Sequence, residues 1–191
     1  MTIANLITML RILLVPVIIW ALLSGATVFA FVAFLLAGLS DAVDGTVARM
    51  LDQQTELGTA LDPVADKLML VSVFVLLAWL DEIPLWLAIL VLSRDVLIIA
   101  GFLLAFILGR AVEIRPLMVS KANTFAQIVL AAFVMGLLAF GLEMPIATTI
   151  LVYTTAALTA ASAIAYTVQG MRDLSASEPV GEKQVTRRPA A

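Results

Sequence analysis

Residues 26–80 read ATVFAFVAFLLAGLSDAVDGTVARMLDQQTELGTALDPVADKLMLVSVFVLLAWL. Apolar residues dominate both halves of this stretch, at 26–51 and at 58–80, with a short polar break between them. A helix that crosses a bilayer needs about 20 mostly apolar residues, and each half has that length. The stretch therefore predicts two membrane-spanning helices joined by a short loop.

Four further segments share this length and composition, at residues 5–23, 83–109, 119–140 and 145–171. Gly or Pro stands at most of the breaks between segments, where a helix is expected to end. Hydrophobic residues make up 63% of the chain and charged residues only 13%, whereas soluble domains carry roughly 25% charge. We therefore predict an all-α polytopic membrane protein, a bundle of six transmembrane helices over residues 1–171 with a disordered polar tail at 172–191.

The distribution of basic residues predicts how this bundle is oriented. The breaks near 24–26, 81–84 and 141–145 contain no Lys or Arg. Basic side chains gather instead at the opposite breaks, as Arg49, Arg110, Arg115 and Lys121. Because cytoplasmic loops are enriched in Lys and Arg, we expect both termini to lie in the cytoplasm.

The composition also narrows the chemistry. The chain has no Cys and no His, which excludes thiolate and imidazole catalysis and any metal site built from those ligands. Its net charge of −3 gives no basic surface for a polyanion, so no nucleic-acid partner is expected. Any reaction must use carboxylates, hydroxyls, amides, Lys, Arg or a bound cation.

Four carboxylates fall inside the two helices of the opening stretch, at Asp41, Asp44, Asp62 and Asp66. Each would cost roughly 2.5–3.5 kcal/mol in a membrane helix without a partner, and Arg49 and Lys67 cannot neutralise all four. The spacings i,i+3 and i,i+4 place each pair on one helix face, and the short loop brings both pairs to a similar depth near the cytoplasmic surface. Because ligands that are all oxygen suit Mg²⁺ or Mn²⁺, the cluster predicts a metal site that could hold two ions.

Small and basic residues accompany the carboxylates. Gly45, Ala48 and Gly58 lie within about one turn of them, and small side chains let a ligand approach the backbone. The planar guanidinium of Arg49 suits a phosphate group. For the small residues the alternative is close helix packing, which the sequence leaves open.

The pattern D-x2-D-G-x2-A-R-x8-G-x3-D-x3-D runs from Asp41 to Asp66 and holds at all eight of its fixed positions. It resembles the signature of the class I CDP-alcohol phosphatidyltransferases, and the opening N-x2-T-x2-R from Asn5 to Arg11 is similar to that family's first helix. The resemblance covers roughly residues 3–170. It implies a membrane enzyme that transfers the phosphatidyl group of CDP-diacylglycerol to an alcohol and releases CMP.

The resemblance also implies roles for particular residues. Asp41, Asp44, Asp62 and Asp66 would bind the Mg²⁺ or Mn²⁺ ions, and Asp66 would also be the general base, a choice that spacing alone could not make. Contacts with the CDP-lipid are implied for Asn5, Thr8, Gly45, Ala48, Arg49, Thr55 and Gly58. For Asn5 and Thr8 the alternative is capping of the first helix. The family resemblance further implies a bacterial inner-membrane protein with its active site facing the cytoplasm, often assembled as a homodimer.

Polar residues of the fourth and fifth helices bear on the identity of the acceptor. The strings SRDV at 93–96 and SKANTFAQ at 120–127 are similar to the cardiolipin synthase branch of the family, which predicts phosphatidylglycerol as the acceptor. Glycerol 3-phosphate, the acceptor in the phosphatidylglycerophosphate synthase branch, is the alternative. Acceptor contacts are predicted for Arg94, Arg110, Arg115 and Lys121. A structural ion pair with an Asp is the alternative for Arg94, and an ordinary positive-inside position is the alternative for the other three.

A protein of another class could use the same carboxylates, as the ion site of a divalent-cation transporter. The cluster lies toward one membrane face, however, and no matching polar path appears in the outer half of the predicted helices. The sequence therefore favours an enzyme.

Overall fold

The computed structural model describes residues 3–38, 56–107 and 118–176. Within these residues the chain forms helices and no strand, as the sequence predicts. The helices are α1 (Ile3–Leu23), α2 (Thr27–Gly38), α3 (Glu56–Trp79), α4 (Leu85–Ile107), α5 (Met118–Phe140) and α6 (Pro145–Ala176). Each predicted segment corresponds to one of these helices. The second half of the predicted 26–51 segment lies outside the described residues, and α6 runs on past position 171 to Ala176.

Three helix ends share one type of cap, in which a residue just past the helix adopts a left-handed backbone. These residues are Gly25 (φ 75°), Asp81 (φ 60°) and Gly141 (φ 62°). In each case the next amide donates to a carbonyl five residues earlier, as Leu142 N does to Leu137 O at 2.9 Å. This hydrogen-bond pattern satisfies carbonyls that the helix end leaves free and turns the chain back on itself. The short breaks of the sequence thereby become tight reversals between antiparallel helices.

The helices pack as a bundle around an apolar centre. Helix α3 contacts α1, α4 and α5, while α6 packs against α4 and α5. Phe74 and Leu77 of α3 are fully buried in this centre, together with Ile18 of α1 and Leu130 of α5. Helix α2 joins the bundle through Phe31, whose ring meets Phe140 edge-on at 6.0 Å between centroids.

The outer faces of the bundle are apolar. Large hydrophobic side chains stay exposed on every described helix, among them Trp20, Phe29, Trp79, Ile99, Phe125 and Ile150. Two of the helices, over Met118–Phe140 and Pro145–Met171, are long and apolar enough to cross a membrane. Water-soluble monomers rarely expose apolar surface on this scale, so the structure agrees with a membrane protein.

Candidate functional site

The predicted metal site is only partly described. Asp41 and Asp44 lie outside the described residues, as do Gly45, Ala48, Arg49, Thr55, Arg110 and Arg115. Gly58, Asp62 and Asp66 lie in the helical backbone of α3, and Asn5 and Thr8 lie in that of α1. Among the described side chains no three carboxylates come close enough to hold a metal ion. The metal site therefore stays a prediction.

The backbone of α3 places Asp62 and Asp66 on one side of the helix. Positions four apart on a helix lie one above the other, with about 5–6 Å between their Cβ atoms. The same side continues through Leu70 and Val73, which are buried against the rest of the bundle. On the helical backbone, positions 62 and 66 therefore share the side of α3 on which Leu70 and Val73 lie.

Arg11 is the basic residue of the opening N-x2-T-x2-R. It lies on α1, which packs against α3, and its side chain is buried, with 2% of the residue exposed. A guanidinium buried inside an apolar bundle requires a polar or anionic partner. Arg11 therefore marks a polar region within the bundle.

Arg94 is the centre of a hydrogen-bond network that joins three helices. The Arg94 side chain is only 4% exposed. Its Nη2 donates to Ser162 Oγ of α6 at 2.8 Å and to Ser120 Oγ of α5 at 2.6 Å, and its Nε donates to Ser162 Oγ at 3.2 Å. The ring of Tyr166 lies 5.6 Å from the guanidinium carbon. These contacts fix the guanidinium between α4, α5 and α6.

An ion pair completes the Arg94 network and extends it to α3. Arg94 Nη1 donates to Asp95 Oδ1 at 2.6 Å, and Lys67 Nζ of α3 lies 2.5 Å from the same oxygen. The structural ion pair considered for Arg94 is therefore present, and Asp95 is its partner. Arg94 thus uses all three of its side-chain nitrogens on protein groups.

A second polar contact lies deeper between α5 and α6. The Thr159 hydroxyl lies 2.7 Å from Asn123 Oδ1 and 2.8 Å from the Thr155 carbonyl oxygen. The side chains of Thr159 and Asn123 are both buried. Because the two helices run antiparallel, this pairing sets Gln127 opposite Thr155 one turn further along. A polar stripe therefore follows the α5–α6 interface away from Arg94.

We expect Thr159→Val to lower the free energy of unfolding by about 1 kcal/mol, because it leaves the buried Asn123 carbonyl without this donor. Thr154→Val is the matched control, since the Thr154 hydroxyl is exposed and donates to the Ile150 carbonyl of its own helix at 2.7 Å. Equilibrium unfolding of both variants in mixed detergent micelles measures the difference. Equal effects of the two substitutions would show that the Asn123 contact does not stabilise the bundle.

Of the four predicted acceptor contacts, Arg94 and Lys121 lie in the described part of the chain. Arg94 and Ser120 meet, which places the exposed Lys121 beside the network. The sequence did not predict that Lys67 and Ser162 belong to the Arg94 network. The position of Lys67 directly after Asp66 was a signal that could have identified it. No comparable signal distinguishes Ser162 from the other small residues of α6.

Comparisons with known proteins agree with the motif. The sequence profile of the CDP-alcohol phosphatidyltransferase family matches residues 1–168. A human protein named cardiolipin synthase (CMP-forming) is 34% identical over 196 residues, which cover 90% of this chain and 64% of the human protein. A Mycobacterium tuberculosis H37Rv protein named probable phosphatidylglycerophosphate synthase is 32% identical over 179 residues, covering 90% of this chain and 82% of that protein. The matching regions thus span less than two thirds of the human relative and most of the mycobacterial one.

Proposed function

Because this chain belongs to the CDP-alcohol phosphatidyltransferase family, we propose that it transfers the phosphatidyl group of CDP-diacylglycerol to an alcohol and releases CMP. The observation that carries the proposal is the complete D-x2-D-G-x2-A-R-x8-G-x3-D-x3-D pattern inside the region that the family profile matches. The chemistry is a displacement at phosphorus. The acceptor oxygen forms a bond to the phosphorus of the phosphatidyl group, the bond from that phosphorus to the CMP oxygen breaks, and the acceptor proton leaves.

A pair of Mg²⁺ or Mn²⁺ ions is part of this proposal, with Asp41, Asp44, Asp62 and Asp66 as the ligands. The proposed ligands support such ions because they supply oxygen alone, and because the i,i+4 spacing puts positions 62 and 66 on one side of a helix. When bound, the ions would offset the charge of the diphosphate and of the leaving CMP.

The remaining roles belong to side chains and backbone of the chain itself. Asp66 accepts the proton of the acceptor hydroxyl as general base. Arg49 holds the diphosphate through paired N–H donors of its planar guanidinium. The small residues Gly45, Ala48 and Gly58 leave space beside the helices for the CDP group to approach. Thr55, Asn5 and Thr8 complete the CDP-lipid contacts.

We propose phosphatidylglycerol as the acceptor, so that the product is cardiolipin. The SRDV and SKANTFAQ strings and the human relative named cardiolipin synthase support this choice. Glycerol 3-phosphate is the second candidate, because the mycobacterial relative named phosphatidylglycerophosphate synthase matches over more of its own length. Lys121, Arg110 and Arg115 are proposed to contact the acceptor in either case.

The proposed setting is a bacterial inner membrane crossed six times, with both termini and the active site on the cytoplasmic side. The 23 residues of α4 and of α5 correspond to about 35 Å of helix, which is sufficient for a hydrocarbon core of about 30 Å. The basic residues at one set of breaks support the orientation. Assembly as a homodimer is a further proposal, which rests on the family resemblance alone.

The acceptor is tested by a competition between the two alcohols. Purified protein receives CDP-diacylglycerol with phosphatidylglycerol and glycerol 3-phosphate at equal concentrations, and the products are identified by mass. We expect cardiolipin to exceed phosphatidylglycerophosphate, because a lipid acceptor can reach the bundle laterally along the apolar α4 and α5. A predominance of phosphatidylglycerophosphate would reject phosphatidylglycerol as the acceptor and leave the family assignment intact.

A further inference from the structure

Lys67 is the exposed member of an otherwise buried face of α3. The residues that follow it at i+3, i+7 and i+10 are Leu70, Phe74 and Leu77, and all three are buried in the bundle. The Lys67 side chain nevertheless remains 46% exposed. It lies about 17 Å along α3 from Glu56, given a rise of 1.5 Å per residue. A lysine at this depth would be costly against lipid, so we expect the exposed part of Lys67 to face a polar or anionic group.

In the ion pair around Asp95, two basic side chains meet one carboxylate. Asp95 Oδ1 is shared by Lys67 Nζ at 2.5 Å and Arg94 Nη1 at 2.6 Å. The trio thus has one more basic side chain than acidic ones. The Asp95 and Arg94 side chains are only 13% and 4% exposed. The excess positive charge is therefore accessible at Lys67.

Arg94 is unsuited to bind a substrate phosphate directly. Its guanidinium uses four of its five N–H groups on Ser120, Ser162 and Asp95, and the side chain is only 4% exposed, so little of it is open to a phosphate. Lys67 has three ammonium hydrogens, and its contact with Asp95 Oδ1 needs only one. Loss of the Lys67 contact would leave Asp95 paired with Arg94. An incoming anion can therefore replace Asp95 as the partner of Lys67 at a small cost in free energy.

We propose that Lys67 binds the anionic phosphate of the acceptor alcohol, while Arg94 acts as a positioning residue that holds Asp95 and, through it, the Lys67 ammonium. This inference rests on the proposed transferase function. Both candidate acceptors carry a phosphate within a few carbons of the attacking hydroxyl. Lys67 is one residue beyond Asp66 on α3, about 1.5 Å further along the helix axis, so a phosphate held by Lys67 would lie at nearly the same depth as the proposed base.

Lys67→Met tests the inference, since Met has a similar length and no charge. We expect the KM for the acceptor to rise about 10- to 100-fold, the usual effect of a charge-assisted hydrogen bond. The KM for CDP-diacylglycerol should stay within about twofold, because the CDP group binds elsewhere. Lys67→Arg keeps the charge and should restore most of the acceptor affinity. Thermal unfolding of both variants in detergent should match the wild type, because Asp95 keeps Arg94 as its partner.

The outcomes separate this inference from the proposed function. A wild-type protein that releases no CMP with either acceptor would reject the function itself. If the wild type is active and Lys67→Met keeps its acceptor KM, the function stands and the role of Lys67 is wrong. An equal rise in the KM values of both substrates would also overturn the inference, because it would indicate a general structural role for Lys67.

Discussion

Replacement of Asp66 by Asn is expected to lower kcat by about 10²–10⁴-fold, the usual contribution of a general base. Asn has nearly the shape of Asp but cannot accept a proton from the acceptor hydroxyl. The KM for CDP-diacylglycerol should change much less, because Arg49 and the ions proposed to be bound by the other three carboxylates would still hold the diphosphate. Steady-state CMP release at saturating acceptor measures the loss.

The control for Asp66→Asn is Asp81→Asn. Asp81 is exposed in the turn between α3 and α4, at the far end of the same helix, and its replacement removes the same charge. We expect this variant to keep the wild-type rate. A near-normal rate in Asp66→Asn, or a loss confined to CDP-diacylglycerol binding, would contradict the role of Asp66 as base.

Removal of divalent cations is expected to abolish turnover completely. Four carboxylates with no other ligand type have no means of offsetting a diphosphate by themselves, and without cations they would repel it. Activity in EDTA should therefore fall to background, and addition of Mg²⁺ or Mn²⁺ should restore it. Full activity in the chelator would contradict the two-ion proposal.

Asp41→Ala separates metal binding from folding. We expect this variant to lose activity and metal binding together, since Asp41 is one of the four proposed ligands. Its unfolding temperature without metal should not fall, because removal of one of four clustered anions relieves repulsion. Isothermal titration with Mn²⁺ and thermal unfolding in EDTA measure the two effects. Metal binding equal to that of the wild type would remove Asp41 from the proposed site.

The helices could be predicted from the sequence because the length of the apolar segments, their hydropathy and the residues at the breaks between them all indicate the same helices. Gly25 and Gly141 stand where the chain turns, and both adopt the left-handed backbone that Gly accepts readily. Asp81 adopts the same backbone, and no Gly there signals it. The end of α6 at Ala176 was predicted less well, since hydropathy locates the end of an apolar segment and a helix can extend beyond it.

The site could be predicted only as far as local spacing reaches. The i,i+4 spacing of Asp62 and Asp66 predicts their shared side of α3, and the helical backbone agrees. The cost of a buried charge likewise predicts that Arg94 needs partners. The identity of Ser162 as one partner depends on how α4 and α6 are rotated against each other, across 68 residues of sequence. Local periodicity carries no information about that rotation.

CMP release from CDP-diacylglycerol is the direct test of the proposed transferase activity. Purified protein in detergent micelles, supplied with Mg²⁺ or Mn²⁺, is assayed with and without phosphatidylglycerol, and CMP and cardiolipin are measured together. We expect CMP and cardiolipin in equal amounts, formed only when both substrates and the metal are present. Absence of CMP with phosphatidylglycerol and with glycerol 3-phosphate, together with metal-ion flux into proteoliposomes, would contradict the enzyme and support the transporter.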